Sequence, residues 1–190
     1  MSIPASGQVN EAAGFRRPAL RSGFFVATVL LCVLAAAVPP AIGSSKPPDK
    51  FKPFKLKTLD GTQKTLQDFQ NKLTLVEFFY PRCPYCNVAL PEVQRIYDKY
   101  KDKGLSVVWI NVLPEENKLI AKWQEEHHFT IPVLIGASQE SLQRDYRLIS
   151  TPTSYLLGEQ GEVLLYQGEY KSGDEKVLEA KIAEALNIAP

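Results

Sequence analysis

Two largely apolar runs, Leu73–Phe79 (LTLVEFF) and Leu105–Val112 (LSVVWINV), bracket a stretch of helical periodicity. A run that is apolar at successive positions cannot be a half-solvated strand; it suits the middle of a sheet covered on both faces. Between the runs, Val88, Leu90, Val93, Ile96, Tyr97 and Tyr100 recur at helical spacing from Cys83 to about Lys103, and Gly104 ends the segment. Strand, crossover helix and strand form a β-α-β unit, which should be right-handed with parallel strands.

The remaining segments extend this unit into an α/β sandwich. Phe54–Phe69 reads as two short strands around the turn Asp60-Gly61. Glu115–His128 reads as a helix with Leu119, Ile120 and Trp123 on one face, followed by a short strand in Thr130–Gly136 and a short helix in Ser138–Ile149. Thr151–Tyr170 gives two strands joined at Gln160-Gly161. A final helix, Asp174–Leu186, is expected to turn Val177, Leu178, Ile182 and Leu186 towards the sheet. The chain contains no internal repeat.

The first 43 residues read as an address rather than part of the fold. Arg16, Arg17 and Arg21 precede the apolar run Phe24–Val38, which is short for a spanning helix of about 20 residues. Positive charge in front and small residues behind suit a secretory signal peptide, with both Ala41-Ile42-Gly43 and Ala35-Ala36-Ala37 fitting the cleavage pattern. Left uncut, residues 24–42 form an N-terminal membrane anchor, and the arginines keep the N-terminus cytoplasmic. Either route delivers the domain to an extracytoplasmic compartment, periplasmic or secreted, where disulfides persist. Residues 44–50 form a polar, proline-rich linker, and the folded domain spans 51–188.

The 190 residues carry a formal charge of +1, with no basic footprint for nucleic acid. Of three cysteines, Cys32 lies in the apolar N-terminal run and reads as a small apolar residue. The other two form the pair Cys83-Pro84-Tyr85-Cys86, directly after the first apolar run. A closed zinc site needs four ligands, and there is no second cysteine pair. His127 and His128 are adjacent, so their side chains do not converge, and no metal ligand set is assigned. A structural staple closing so small a loop removes little unfolded-state entropy.

A redox pair gives most of the neighbouring residues a role. At the start of a helix, the Cys83 sulfur meets unpaired backbone N–H groups and the positive end of the macrodipole, which favour thiolate. Arg82 adds a positive charge beside it, and Pro84 fits the first helical turn, where a missing N–H is harmless. Cys86, three residues on, is expected one turn deeper and less exposed. Cys83 is therefore the expected nucleophile and Cys86 the resolving thiol. Glu77 interrupts the first apolar strand; burial there should raise its pKa and make it the base for Cys86.

The segment LVEFFYPRCPYC resembles the thioredoxin-fold signature of an acidic strand residue followed by CxxC opening a helix. Pro91 falls where thioredoxins carry the proline that kinks this helix, and STPTSYLL looks like the family's cis-proline loop. The resemblance covers about residues 51–188. It is most similar to the secreted or membrane-anchored TlpA/ResA-like thioredoxins, which carry two extra N-terminal strands and an insertion after the first β-α-β unit. It implies a thioredoxin-like three-layer α/β/α sandwich with a central mixed sheet, those extra strands and the β-α insertion. It also implies a cis Thr151-Pro152 bond packed on the disulfide, where the backbone before the proline pairs with the substrate peptide.

This sequence departs from the family at three places. Arg82 stands where a tryptophan is usual, Pro84-Tyr85 is the dipeptide typical of glutaredoxins, and Ala89 replaces an acid found in some secreted relatives. Arg82, Pro84 and Tyr85 are thus the residues expected to tune the redox pair. The function implied is a thiol–disulfide oxidoreductase that reduces or oxidises protein substrates, is recharged by a redox partner protein and needs no cofactor. Two other readings stand beside it. A peroxidase of the peroxiredoxin branch is disfavoured by Tyr80, which holds the place of that branch's threonine. The second is a non-enzymatic copper-binding or assembly module.

Overall fold

A computed structural model describes residues 48–188. The N-terminal address, with Cys32 and the apolar run 24–42, lies outside the described residues, as do the first four residues of the linker. Among the described residues, no helix is long and apolar enough to cross a membrane.

Among the described residues, seven strands and four α-helices follow the order read from the sequence. A hairpin of β1 (Lys55–Lys57) and β2 (Gln63–Thr65) precedes β3 (Leu73–Phe79), α1 (Pro84–Tyr100) and β4 (Leu105–Asn111). Then come α2 (Ile120–Glu126), β5 (Val133–Leu134), α3 (Gln139–Tyr146), β6 (Thr153–Gly158), β7 (Val163–Gln167) and α4 (Asp174–Ala185). The main sheet has the order β5-β4-β3-β6-β7. Strand β3 is parallel to β4 and antiparallel to β6, so the sheet is mixed. All seven residues of β3 are buried, as a central strand requires.

Side-chain alternation along β3 divides the interior in two. Leu73, Leu75 and Phe79 face α1, α2 and α4, meeting Leu90, Ile96, Ile120, Trp123, Leu178 and Ile182. Val76 and Phe78 face the opposite layer, where α3 contributes Leu142 and Tyr146 and the N-terminal segment contributes Phe51, Phe54 and Leu56. The result is the α/β/α sandwich expected. The hairpin joins its outer layer through Lys57, whose N–H and C=O pair with Ile135 at 3.0 and 2.7 Å.

The structure departs from the expectation where local pattern competes with packing. The segment Glu115–His128 is not one helix: a 3-10 segment, Pro114–Leu119, precedes the shorter α2. The apolar stripe includes two residues that do not reach the core, Val88 (58% exposed) and Val177 (53% exposed). Each lies beside a residue that does, since Ala89 and Leu178 are 4% and 2% exposed, so the buried face is narrower than the apolar pattern. Strand β5 is only two residues long. Backbone pairing to the sheet starts earlier than Phe51, because Asp49 C=O accepts from Val163 N–H at 3.0 Å. Gly104, at φ 114°, ends the α1 segment in the left-handed region open to glycine.

Leu75→Ala, at a fully buried site on β3, is expected to cost about 2–5 kcal/mol. Val88→Ala should stay within about 0.5 kcal/mol of wild type. Denaturant unfolding of both variants checks the division between buried and exposed positions of the same apolar pattern.

Candidate functional site

The loop leaving β3 delivers Cys83 to the N-terminus of α1 as its N-cap residue, with Pro84 in the first turn. Cys83 and Cys86 form a disulfide with Cα atoms 5.1 Å apart. Cys83 Sγ accepts from the Cys86 backbone N–H at 3.1 Å, so the capping role usually taken by a hydroxyl or carboxylate falls to sulfur. A thiolate there has an N–H donor and the positive end of a seventeen-residue helix beside it. The two sulfur-bearing residues differ little in exposure, at 1% and 0%.

The cis-proline loop closes over the same sulfur. The Thr151-Pro152 bond is cis. The Thr151 hydroxyl donates to Cys83 Sγ at 3.4 Å, and the Thr151 carbonyl oxygen lies 3.6 Å from it. That oxygen gains a donor when Cys83 becomes a thiol. Around the pair the surface is open: Arg82 and Pro84 are exposed, and Tyr85 is 64% exposed one helical turn from Val88.

Three residues to which the sequence assigns no part in the site hold the loop. Asn87 Nδ2 donates to the Pro81 and Cys83 carbonyls at 3.1 and 3.0 Å, and its Oδ1 accepts from Trp123 Nε1 at 3.1 Å. Trp123 belongs to an aromatic cluster, stacked on Phe79 at 5.0 Å between ring centroids and tilted against Phe129 at 4.9 Å. From the 3-10 segment after β4, Glu116 Oε2 accepts the Arg82 backbone N–H at 3.0 Å. The only advance sign of these roles is that Asn87 directly follows the CxxC pair. The contacts to Trp123 and Glu116 cross between elements far apart in the chain.

Glu77 sits at the centre of the sheet on the α1 side, 1% exposed, opposite Ser154 on β6 and Trp109 on β4. Burial pushes its carboxyl up to about 8, against a smaller opposing effect from a hydrogen bond to Ser154. Its Oε2 has no hydrogen-bond partner among the described residues. Glu77, Ala89, Pro152 and Ser154 line the inner part of a narrow cleft that continues past Gln167 and Tyr170 towards Glu175. Its roughly 20 Å3 is room for about one water. The cleft runs between β7 and the start of α4, where Gln167 Nε2 donates to the Asp174 carbonyl at 3.2 Å.

The structure thus gathers Cys83, Cys86, Thr151 and Pro152 in one place, while Glu77 shares a cleft with Pro152 and with Ala89 of the helix that carries Cys86. The histidines stand apart: His127 stacks on Phe129 at 5.2 Å, and its Nδ1 lies 2.9 Å from the Trp123 carbonyl oxygen. Among the described residues, no three His, Cys, Asp or Glu side chains cluster in a metal-holding arrangement.

The sequence profile of the AhpC/TSA family matches residues 47–165. The thioredoxin-like protein YneN of Bacillus subtilis is 33% identical over 112 residues, 58% of this chain and 64% of the relative. The thiol-disulfide oxidoreductase ResA of Geobacillus kaustophilus is 28% identical over 123 residues, 65% of this chain and 67% of the relative. This chain therefore spans under two thirds of YneN's own length. Among solved structures, a putative thiol:disulfide interchange protein DsbE from Chlorobium tepidum superposes with a TM-score of 0.66 at 26% identity. That match covers 75% of this chain and 99% of the other.

An acid whose pKa is raised on folding binds its proton more tightly in the folded chain. The stability it contributes is fully present below about pH 4.5 and is lost as the pH rises through about 8. Glu77→Gln removes this slope. In unfolding titrations the variant should gain on wild type by on the order of 3–5 kcal/mol between about pH 4 and about pH 9; parallel curves would contradict the buried-acid reading. Asn87→Ala strands the Trp123 indole N–H and two loop carbonyls, and should cost about 1–3 kcal/mol by the same measurement.

Proposed function

The chain belongs to the AhpC/TSA family, and on that premise we propose that it is an extracytoplasmic thiol–disulfide oxidoreductase acting on protein substrates. The observation that carries this reading is the Cys83–Cys86 pair at the helix N-terminus, with Cys83 Sγ held between the Cys86 N–H and Thr151. The relatives named as thiol-disulfide oxidoreductase and thiol:disulfide interchange protein support it.

In the reducing direction, the Cys83 thiolate attacks one sulfur of a substrate disulfide. A Cys83–substrate disulfide forms, and the other substrate sulfur leaves as a thiolate that takes a proton from water. Cys86 then loses its proton to the ionised form of Glu77 and attacks Cys83 Sγ. The mixed disulfide breaks, the Cys83–Cys86 disulfide forms and the second substrate thiolate departs. Two electrons pass from the protein to the substrate, and Glu77 returns its proton to solvent through the cleft beside β7. Run backwards, the same steps oxidise a dithiol, and the direction depends on potential.

A carboxyl pushed up to about 8 suits this role, since it exchanges protons near neutral pH rather than staying ionised. Thr151 and Pro152 present the backbone that a substrate peptide pairs with, and Arg82, Pro84 and Tyr85 tune the pair from its exposed side. A partner protein resets the disulfide after each cycle. Residues 24–42 serve as the signal peptide or as a membrane tether, outside the described residues.

Cys86→Ala, expressed in the native host with the full chain, should accumulate mixed disulfides that disappear on adding Cys83→Ala. No trapped species at normal protein level would defeat the exchange mechanism. Peroxide consumption by wild type without a protein disulfide would move the reading to the peroxiredoxin branch. Glu77→Gln should slow resolution by about 10²-fold at neutral pH, followed as decay of a preformed mixed disulfide in stopped flow.

A further inference from the structure

Among the described residues, the carboxylate hydrogen-bonded to the loop that carries Cys83 is not Glu77 but Glu116. Its Oε2 accepts the backbone N–H of Arg82, the residue directly before Cys83, at 3.0 Å. Consecutive Cα atoms are only about 3.8 Å apart, so this contact places a carboxylate close to the pair. Glu116 is 9% exposed, whereas its neighbour Glu115 is exposed.

Other residues fix that position. Asn111, at the end of β4 and 1% exposed, donates from Nδ2 to the Leu113 carbonyl at 2.7 Å and to Asn117 Oδ1 at 2.8 Å. Its Oδ1 accepts from Leu113 N–H at 3.3 Å, and the Glu116 N–H donates to the Leu113 carbonyl at 2.9 Å. A buried amide at the strand end therefore shapes the 3-10 segment that carries Glu116.

We infer that Glu116 is a positioning residue that makes the Cys83–Cys86 pair more reducing, by holding a negative charge against the loop that carries the nucleophile. The disulfide takes up two electrons and two protons to become two thiols, and Cys83 then ionises. A nearby negative charge disfavours that thiolate and so favours the disulfide. It opposes the helix N-terminus, the Cys86 N–H and the Arg82 guanidinium, all of which favour thiolate. The contest between the two side chains is unequal, because Arg82 is exposed and screened while Glu116 is buried. Among the described residues Glu77 is the other buried acid, and burial holds it largely protonated below about pH 8. The inference rests on the exchange reading above.

The test equilibrates the full chain with glutathione: protein disulfide plus two reduced glutathione gives protein dithiol plus glutathione disulfide. The reduced fraction is read by thiol alkylation and mass. Glu116→Gln keeps the acceptor for the Arg82 N–H and removes the charge. It should raise the equilibrium constant for reduction about tenfold, or about 30 mV for this two-electron couple. Ultraviolet titration of the thiolate should show the Cys83 pKa falling by about one unit, the same tenfold factor.

Glu116→Asp, which keeps the charge, should stay within about threefold of wild type, and Glu115→Gln should not shift. An equilibrium constant for folded Glu116→Gln within twofold of wild type overturns the inference, as does an equal shift in Glu116→Asp or Glu115→Gln. If the Gln variant does not fold, Glu116→Met, of similar length and uncharged, is read against the same limits. A wild-type chain that fails to exchange with glutathione defeats the exchange reading. An exchanging chain whose potential ignores Glu116 defeats only this inference.

Discussion

Burial of β3 on both faces is the constraint on which the rest of the site depends. All seven of its side chains are withdrawn from water between β4 and β6. A carboxyl placed in that strand has no solvent to stabilise its charge, so Glu77 takes its raised pKa from the fold itself rather than from any partner. The same strand sets where the chain emerges. Beyond Phe79 it must leave the sheet, turn and start α1, and the first residue able to cap that helix is Cys83. One buried strand thereby carries the acid at the centre of the sheet and sets where the helix that bears the pair begins.

The two cysteines are made unequal by backbone contacts more than by burial. Both are nearly inaccessible, yet Cys83 Sγ faces an N–H donor, a threonine hydroxyl and the mouth of the cis-proline loop. Cys86 lies within α1, on the helix that packs over Glu77's face of the sheet. The asymmetry suits a sequential exchange, in which Cys83 bonds first and Cys86 acts only afterwards. Ala89 adds to it. Its methyl group lines the cleft, leaving Glu77 as the carboxyl at the inner part.

The architecture was legible in the sequence because its signals are local. The runs containing β3 and β4, the intervening helical spacing and the Asp60-Gly61 turn each depend on neighbouring residues, and each element forms where it was read. The CxxC pair and Glu77 were legible for the same reason: a cysteine pair after a strand and a charge within one are visible in a short window. Asn87, Trp123 and Glu116 were not. Their functions arise when α1, α2 and the 3-10 segment meet around the loop, and Asn87 contacts Trp123 across 36 positions of sequence. Val88 and Val177 show the converse. Their apolar character follows the helical period, but a curved sheet covers only part of each helix, and the residues at the margin stay wet.

Charges near Cys83 act through different media, and that difference decides how they combine. Arg82 was the evident candidate from sequence because it adjoins the cysteine, but proximity along the chain places its guanidinium in water, where salt and solvent weaken it. What Arg82 contributes to the fixed geometry is its backbone N–H, held by Glu116. The helix end acts at the closest range of all, through a direct N–H contact to the sulfur. Two of the three influences are thus rigid parts of the fold, and they oppose one another. A site built this way can be set towards reduction or oxidation by changing one buried side chain, while the disulfide, the cis-proline loop and the buried acid stay in place.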